Sequence, residues 1–322
     1  MGFIKFIPLL KSTLWGGNRL QTYKNYPQSM DTVGESWELS GVPGNESVVS
    51  EGCYQGRTLS SLIDEMKEKL VGKDNYLRSG NRFPLLIKFI DARQDLSIQV
   101  HPKDEMARMR HHCPGKNEMW YIIDAVPGAR LCSGWLGKMT PDEYERRVAD
   151  NTIEEVLRWH EVYPGDVFNI PAGRVHSIGA GILLAEIQQT SDITYRIYDY
   201  NRRDANGNLR ELHTELAKEA MDYSEVDNYR AQYVPCLNEP VELVSTPYYH
   251  TSLYELTEAM TCDYSELDSF VIYICVSGKA TLRDESGDVS VISQGETILV
   301  PAKTNEVKIE PDGDVRLLEC QM

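Results

Sequence analysis

The segment Leu96-Ser-Ile-Gln-Val-His-Pro102 reads as a short strand ending at a proline. The two-residue period of a strand puts Ser97, Gln99 and His101 on one face and Leu96, Ile98 and Val100 on the other. Gln99 and His101 are both able to bind a metal, and the chain offers partners for them elsewhere. Glu118 opens the strand-like run in Gly115-Lys-Asn-Glu-Met-Trp-Tyr, and His176 follows the turn Pro171-Ala-Gly-Arg-Val. Two imidazoles and a carboxylate are the donor set of catalytic zinc and of non-haem Fe(II) centres. The Gln99 oxygen would fill one more position and leave another open for water or substrate. Arg196, in Ser191-Asp-Ile-Thr-Tyr-Arg-Ile-Tyr-Asp-Tyr-Asn-Arg202, adds a cation beyond the strand that His176 leads into. Each residue alone has an ordinary structural role, a hydrogen-bonded His or a solvated Glu. Together, at strand ends of one β-region, they favour a metal site.

The elements that must position them are mostly strands. Pro84–Ile90, Asp95–Val100, Met119–Val126, Asp166–Pro171, Ile182–Gln189 and Thr194–Tyr200 are short, rich in β-branched and aromatic residues, and separated by Gly and Pro. The last quarter continues the style in FVIYICVSG, KATLRD, VSVIS and TILVPA. That pattern predicts an all-β fold of the sandwich or barrel type. Helical periodicity is confined to four segments. TLSSLIDEMKEKLVG starts at a Thr58 cap, and PKDEMARMRHH follows the opening strand. TPDEYERRVADNTIEEVLRWHEV is read as one long helical insertion near 138–160, with Thr140 and Pro141 at N-cap and N1, and RELHTELAKEAMDY leads to a linker near 223–245. The pattern G-x5-P-A occurs twice, at Gly165–Pro171 and Gly295–Pro301, each with a strand between its Gly and Pro. Only the first copy runs on to a His. This echo predicts two related β-barrel domains, 1–235 carrying the chemistry and 236–322 a degenerate copy without metal ligands.

Bulk properties narrow the class. The 322-residue chain carries a net charge of −16, which argues against a broad nucleic-acid-binding surface and confines any phosphorylated ligand to a local basic pocket. The seven cysteines are odd in number and form no CxxC pair, so neither a disulfide framework nor a cysteine zinc site is indicated, and a reducing cytoplasm fits. The N-terminal apolar run is broken by Lys5 and Pro8, and no run is long enough to span a membrane. The expectation is a cytoplasmic protein, monomeric or homodimeric, whose partner is a small molecule.

Gly165, Pro171, Gly173 and His176 form a G-x5-P-x-G-x2-H pattern that resembles the second motif of the cupin superfamily. With PLLIKFIDARQDLSIQVHP, GKNEMWY, HSIGAGILLAEIQQTSDITYRIYDYNR, KSTLWGGNRL and GESWELS, the set resembles the class I mannose-6-phosphate isomerases in their short bacterial form, from about residue 5 to 213. The resemblance implies two cupin (jelly-roll) barrels and one Zn2+ held by Gln99, His101, Glu118 and His176. It also implies a catalytic Arg196, flanking polar residues Lys116 and Asp192, and a pocket-facing Lys88. Ser97 aligns with a pocket serine, and Arg202 and Lys88 are plausible phosphate contacts. Unlike the long forms, this chain keeps only the insertion around 140–160, and its Lys116-Asn-Glu118 spacing is a variant.

Such an isomerase moves a proton between C2 and C1 of an aldose or ketose through a cis-enediol(ate), interconverting mannose 6-phosphate and fructose 6-phosphate. Zn2+ and Arg196 would stabilise the developing oxyanion. Lys116, its pKa lowered beside a dication, and Asp192, placed to orient Arg196 by a charge-assisted bond, are both candidates for the proton relay. Trp15 and Trp120 are candidate walls of the sugar pocket. An Fe(II) cupin oxygenase and a non-catalytic sugar-binding cupin are the competing readings.

Overall fold

Apolar residues alternating along the strands pair them into antiparallel sheets. A computed structural model describes residues 2–26, 32–204, 206–226 and 229–322. Two sheets are formed by the first two-thirds of the chain. One orders Val167–Ile170, Glu118–Ala125, Ile182–Gln189, Leu85–Ala92, Leu9–Gly17, Val33–Val42 and Asn45–Glu46. The other orders Leu157–Glu161, Arg130–Trp135, His176–Ser177, Ile98–Val100 and Tyr195–Tyr198. Trp15, Ile90, Trp120 and Ile122 of the first meet Leu131 of the second in one buried apolar cluster. Residues 240–321 form two further sheets, of five and four strands. Sheet dominates the molecule, as the strand pattern predicts.

The helix boundaries differ from the sequence reading where tertiary pairing competes with periodicity. Thr58 and Thr140 cap their helices by accepting from the Ser61 and Glu143 amides, and Pro141 takes the first helical position. The insertion is not one long helix, however. Pro141–Ala149 ends before Asn151, whose φ of 57° is left-handed, and a 3-10 turn over Ile153–Val156 leads into the strand Leu157–Glu161. There the chain pairs with Arg130–Trp135, and a sheet edge outweighs weak helical propensity. The first helix breaks likewise at Lys67, with φ 52°, so that Leu59–Met66 and Glu68–Val71 are separate. The proposed linker contains the strand Pro240–Ser245, paired with His250–Leu256.

Both G-x5-P-A copies have the same local structure. Gly165 and Gly295 adopt φ of 92° and 79°, a conformation that favours glycine, and each opens a short strand, Val167–Ile170 or Thr297–Val300. The second copy touches the first region directly. Buried Lys24 pairs with Glu38 at 2.7 Å and donates to the Gly295 carbonyl.

In the C-terminal region a different polar group occupies the interior. Buried Glu319 accepts from the Tyr254 hydroxyl at 2.7 Å and from Tyr264, which also meets Tyr273. Burial raises the Glu319 pKa against the opposing pull of these hydroxyls. A carboxyl that holds its proton more tightly folded than unfolded loses stability as pH rises from its unfolded value toward its folded one. Glu319→Gln should therefore flatten the decline of thermal stability above about pH 4.3. Thermal unfolding of both proteins across pH 4 to 7 measures this, and parallel curves would refute it.

Candidate metal centre and its cavity

Strand register brings the sequence-predicted residues together. In antiparallel pairs, directly opposed residues share a face. In the five-stranded sheet His176 opposes Gln99 and Ser133, and Gln99 opposes Arg196, so these side chains form one row. In the facing sheet Glu186 opposes both Lys88 and Trp120, and Trp37 opposes Lys88. Glu118 lies two residues before Trp120 and so shares its face. His101 stands just past Val100, where Pro102 ends the strand, and its carbonyl accepts from the Gly173 amide at 2.9 Å. Gly173, at φ 94°, turns the chain toward His176. The two imidazoles are thereby anchored to each other through backbone.

The donor atoms of His101, Glu118 and His176 lie within 4.8 Å of one another, and all three residues are buried. His101 Nδ1 donates to the Ile193 carbonyl at 2.9 Å and His176 Nδ1 to the Arg174 carbonyl at 2.8 Å. Each ring therefore presents an Nε2 without a proton toward Glu118, at 3.5 Å and 3.3 Å, and that of His101 also meets Lys116 Nζ at 3.0 Å. Burial pushes the His101 pKa well below the ordinary imidazole value, aided by Lys116, and brings His176 down to about 3. Neutral imidazoles with free lone pairs are what a metal requires. Neither Glu118 oxygen, although 2.6 Å from Lys116 Nζ at its nearest, accepts a well-directed hydrogen bond. A fully buried carboxylate left in that condition is costly, and a cation between it and the imidazoles removes the cost. The residues fit a metal ion. Gln99 borders them, its Nε2 lying 3.2 Å from His176 Nε2, and a half-turn of the amide would direct Oε1 there instead.

A cavity of about 140 Å³ opens beside this centre. Its wall includes Gln99, Lys116, Glu186, Arg196 and Arg210, together with Ser97, Lys88, Glu35, Trp15, Trp37 and Asp192. Larger clefts elsewhere, of about 570 and 730 Å³, contain none of Gln99, His101, Glu118 and His176.

The chain's overall likeness was tested against known proteins. Residues 3–121 match the family model of the phosphomannose isomerase type I catalytic domain, and 241–318 that of the mannose-6-phosphate isomerase cupin domain. The chain is 35% identical over 309 residues to mannose-6-phosphate isomerase ManA of Bacillus subtilis, covering 95% of both proteins. This chain belongs to the type I phosphomannose isomerase family. A Streptococcus mutans mannose-6-phosphate isomerase is 32% identical over 307 residues, covering 95% of this chain and 93% of that one. The crystal structure of a Bacillus subtilis mannose 6-phosphate isomerase superimposes with a TM-score of 0.89 at 30% identity over the full length of both chains. A putative mannosephosphate isomerase from Archaeoglobus fulgidus, at 20% identity and a TM-score of 0.78 over 99% of this chain and 97% of that one, shares the fold.

Within this family member, several side chains stand apart from the sequence reading. Arg196 is not oriented by Asp192, which is exposed at the cavity wall. The Arg196 guanidinium donates instead to the Glu211 carbonyl at 2.8 Å, because residues 211–213 fold back over its strand. Arg202 does not line the cavity. It pairs with Asp199 and donates to the Asp95 carbonyl at 2.5 Å, since the i,i+3 carboxylate is its nearest partner. Lys88 is spoken for by Glu186 at 3.0 Å and Glu35 at 3.5 Å, and it lies over the Trp37 ring. Trp120 is a buried platform. Its ring packs edge-on to His176, and its Nε1 donates to Glu186 at 3.0 Å.

Glu186, Glu35, Trp37 and Arg210 escaped the sequence reading. Glu186 had one available signal, a lone carboxylate within the apolar run ILLAEIQQ, which must be partnered if buried. Lys88 and Lys116 overcome the effect of its burial and hold its pKa below the ordinary range. Removing one imidazole should abolish tight metal binding. His176→Ala should bind Zn2+ at least tenfold more weakly than wild type in competition with a chromophoric chelator. Unchanged affinity in a folded variant would exclude His176 as a ligand.

Proposed function

We propose that this isomerase interconverts D-mannose 6-phosphate and D-fructose 6-phosphate, with one Zn2+ held by Gln99, His101, Glu118 and His176. The observation that carries the reading is a small cavity beside the His101, Glu118 and His176 donors whose wall combines Gln99 and Lys116 with the guanidiniums of Arg196 and Arg210. Arg202 and Arg210 share the one carboxylate of Asp199, which also faces Arg196. Burial lowers the pKa of Arg196, reinforced by Arg210. Two confined cations that repel one another favour a dianion, and a phosphate monoester is one. We assign the phosphate end to Arg210 and Ser97, in place of Arg202 and Lys88, whose charges are already satisfied within the protein.

When bound, the metal supplies Lewis acidity at the sugar oxygens. The chain's own residues do the rest. Arg196, anchored at the Glu211 carbonyl, stabilises negative charge developing on the sugar during enolisation. Lys116, buried at the wall with its Nζ 3.0 Å from His101, is the group we assign to moving the proton between C2 and C1. Exposed Asp192 is the less protected candidate. Trp15 and Trp37 close the sides of the cavity against water.

We further read each pair of sheets as one cupin jelly roll, divided near residue 235, with the C-terminal copy lacking metal donors. At the offset of His176 from Gly165, the second copy places exposed Glu306. A cytoplasmic location, with a monomer or homodimer and neither nucleic acid nor membrane as partner, agrees with the acidic charge, and no described helix is long and apolar enough to cross a membrane.

A coupled assay on the two sugar phosphates tests this directly. Chelation should abolish turnover and Zn2+ restore it. Arg196→Ala should lose about 3–4 kcal/mol of transition-state stabilisation, read chiefly in kcat. Arg210→Ala should raise KM at least tenfold with a smaller change in kcat, whereas Arg202→Ala should leave KM within a few-fold. Equal KM effects at 202 and 210 would undo the phosphate assignment. Absence of isomerisation by the zinc-loaded wild type would undo the function.

A further inference from the structure

A cleft wider than the substrate cavity lies away from the metal centre. It encloses about 730 Å³, ordinary for a small-molecule site, between the first region and the turn at Pro247 and Tyr248 of the second. Its lining is cationic in a chain of net charge −16. Arg78 and Arg82 come from the end of the helix Lys73–Ser79 and the loop after it. Asp104, Arg108 and His112 recur every fourth residue and so share one face of the helix Asp104–His111 and its cap. Arg78, Arg82 and Arg108 form no ion pair among the described residues, although most other arginines of the chain have a carboxylate partner there. The one carboxylate of the helix face in the cleft, Asp104, is already engaged. Its Oδ1 accepts from the Gly115 amide at 2.8 Å and from Gln189 Nε2 at 3.1 Å. Asp104 keeps its charge, so the wall holds three guanidiniums against one carboxylate side chain, and Tyr248, Pro84, Pro114 and Pro247 add flat, weakly polar surface.

We propose that this cleft is a second binding site, for a small phosphorylated molecule carrying at least two negative charges. Guanidinium forks suit phosphate oxygens, and the local cations concentrate polyanions that the rest of the surface repels. The floor of the cleft is continuous with the metal centre. Gln189 Oε1 accepts from the Asn117 amide at 3.0 Å and from its Nδ2 at 2.6 Å, and Asn117 lies between Lys116 and Glu118. Occupancy of the cleft thus bears on the segment that positions both.

Calorimetric titration of the zinc-loaded protein with inorganic pyrophosphate and, separately, with adenosine 5′-monophosphate tests the site. At least one of the two should bind wild type. Affinity should fall at least tenfold in the double variant Arg82→Ala/Arg108→Ala, whose folding is checked by thermal unfolding, and should persist in Arg210→Ala. A preference for pyrophosphate identifies charge alone as the determinant, and a preference for the nucleotide adds a role for the Tyr248 wall. Binding by neither probe, binding unaffected by the double substitution, or binding lost in Arg210→Ala would each overturn the proposal. Since Arg210 belongs to the substrate cavity, that last result separates failure of this site from failure of the isomerase reading.

Discussion

Glu118 has no solvent exposure and no well-directed donor for either carboxylate oxygen, and it faces two imidazoles whose protons point away from it. A buried carboxylate so placed is costly, and a cation held among it and the imidazoles offsets that cost. Much of the surrounding architecture follows from satisfying this one group. The backbone carbonyls of Ile193 and Arg174 fix the tautomers, the Gly173 amide ties the His176 turn to His101, and Lys116 supplies a counter-charge at 2.6 Å. Behind it, Lys88 between Glu186 and Glu35 neutralises a second set of buried charges, with Trp120 as their apolar and hydrogen-bonding support. Breaking any one of these contacts exposes another buried charge, so the set is cooperative rather than additive.

The guanidiniums of the cavity have the opposite imbalance. Asp199 serves Arg202 and Arg210 directly and also acts on Arg196, so three guanidiniums draw on one buried carboxylate. A ligand that fills the cavity is best matched when it offers oxygens to the donor centre and anionic charge to Arg196 and Arg210, and a sugar phosphate carries both.

The candidate donors His101 and His176 were legible from sequence because each depends on local, short-range rules. The strand period puts Gln99 and His101 on one face, Pro102 stops the strand at the donor, and a glycine with positive φ at Gly173 delivers His176. The strand order, which brings Glu118 across from them, is a long-range property that only the family resemblance supplied. Arg210 was not legible for a different reason. It lies in an irregular segment with no periodicity, and its role depends on where that segment folds. Arg202 misled for the converse reason, since a local i,i+3 carboxylate claims it before any ligand can. The strand Leu157–Glu161 was hidden by apolar spacing compatible with a helix, and its neighbour Arg130–Trp135 decided between the two.

The two G-x5-P-A copies show how much of the site is turn and how much is donor. Both turns keep their glycine conformation and their edge strand, so the backbone device does not depend on the imidazole. What the second copy lacks is the imidazole, and its interior carries instead a carboxyl surrounded by tyrosine hydroxyls, whose pKa burial raises. A buried carboxyl can be accommodated either by a cation or by a retained proton with hydroxyl partners. The first region surrounds its carboxyl with imidazoles and a lysine, the second with tyrosine hydroxyls. The chemistry at Glu118 therefore follows less from the fold than from the two imidazoles and the lysine that make a cation the cheaper companion.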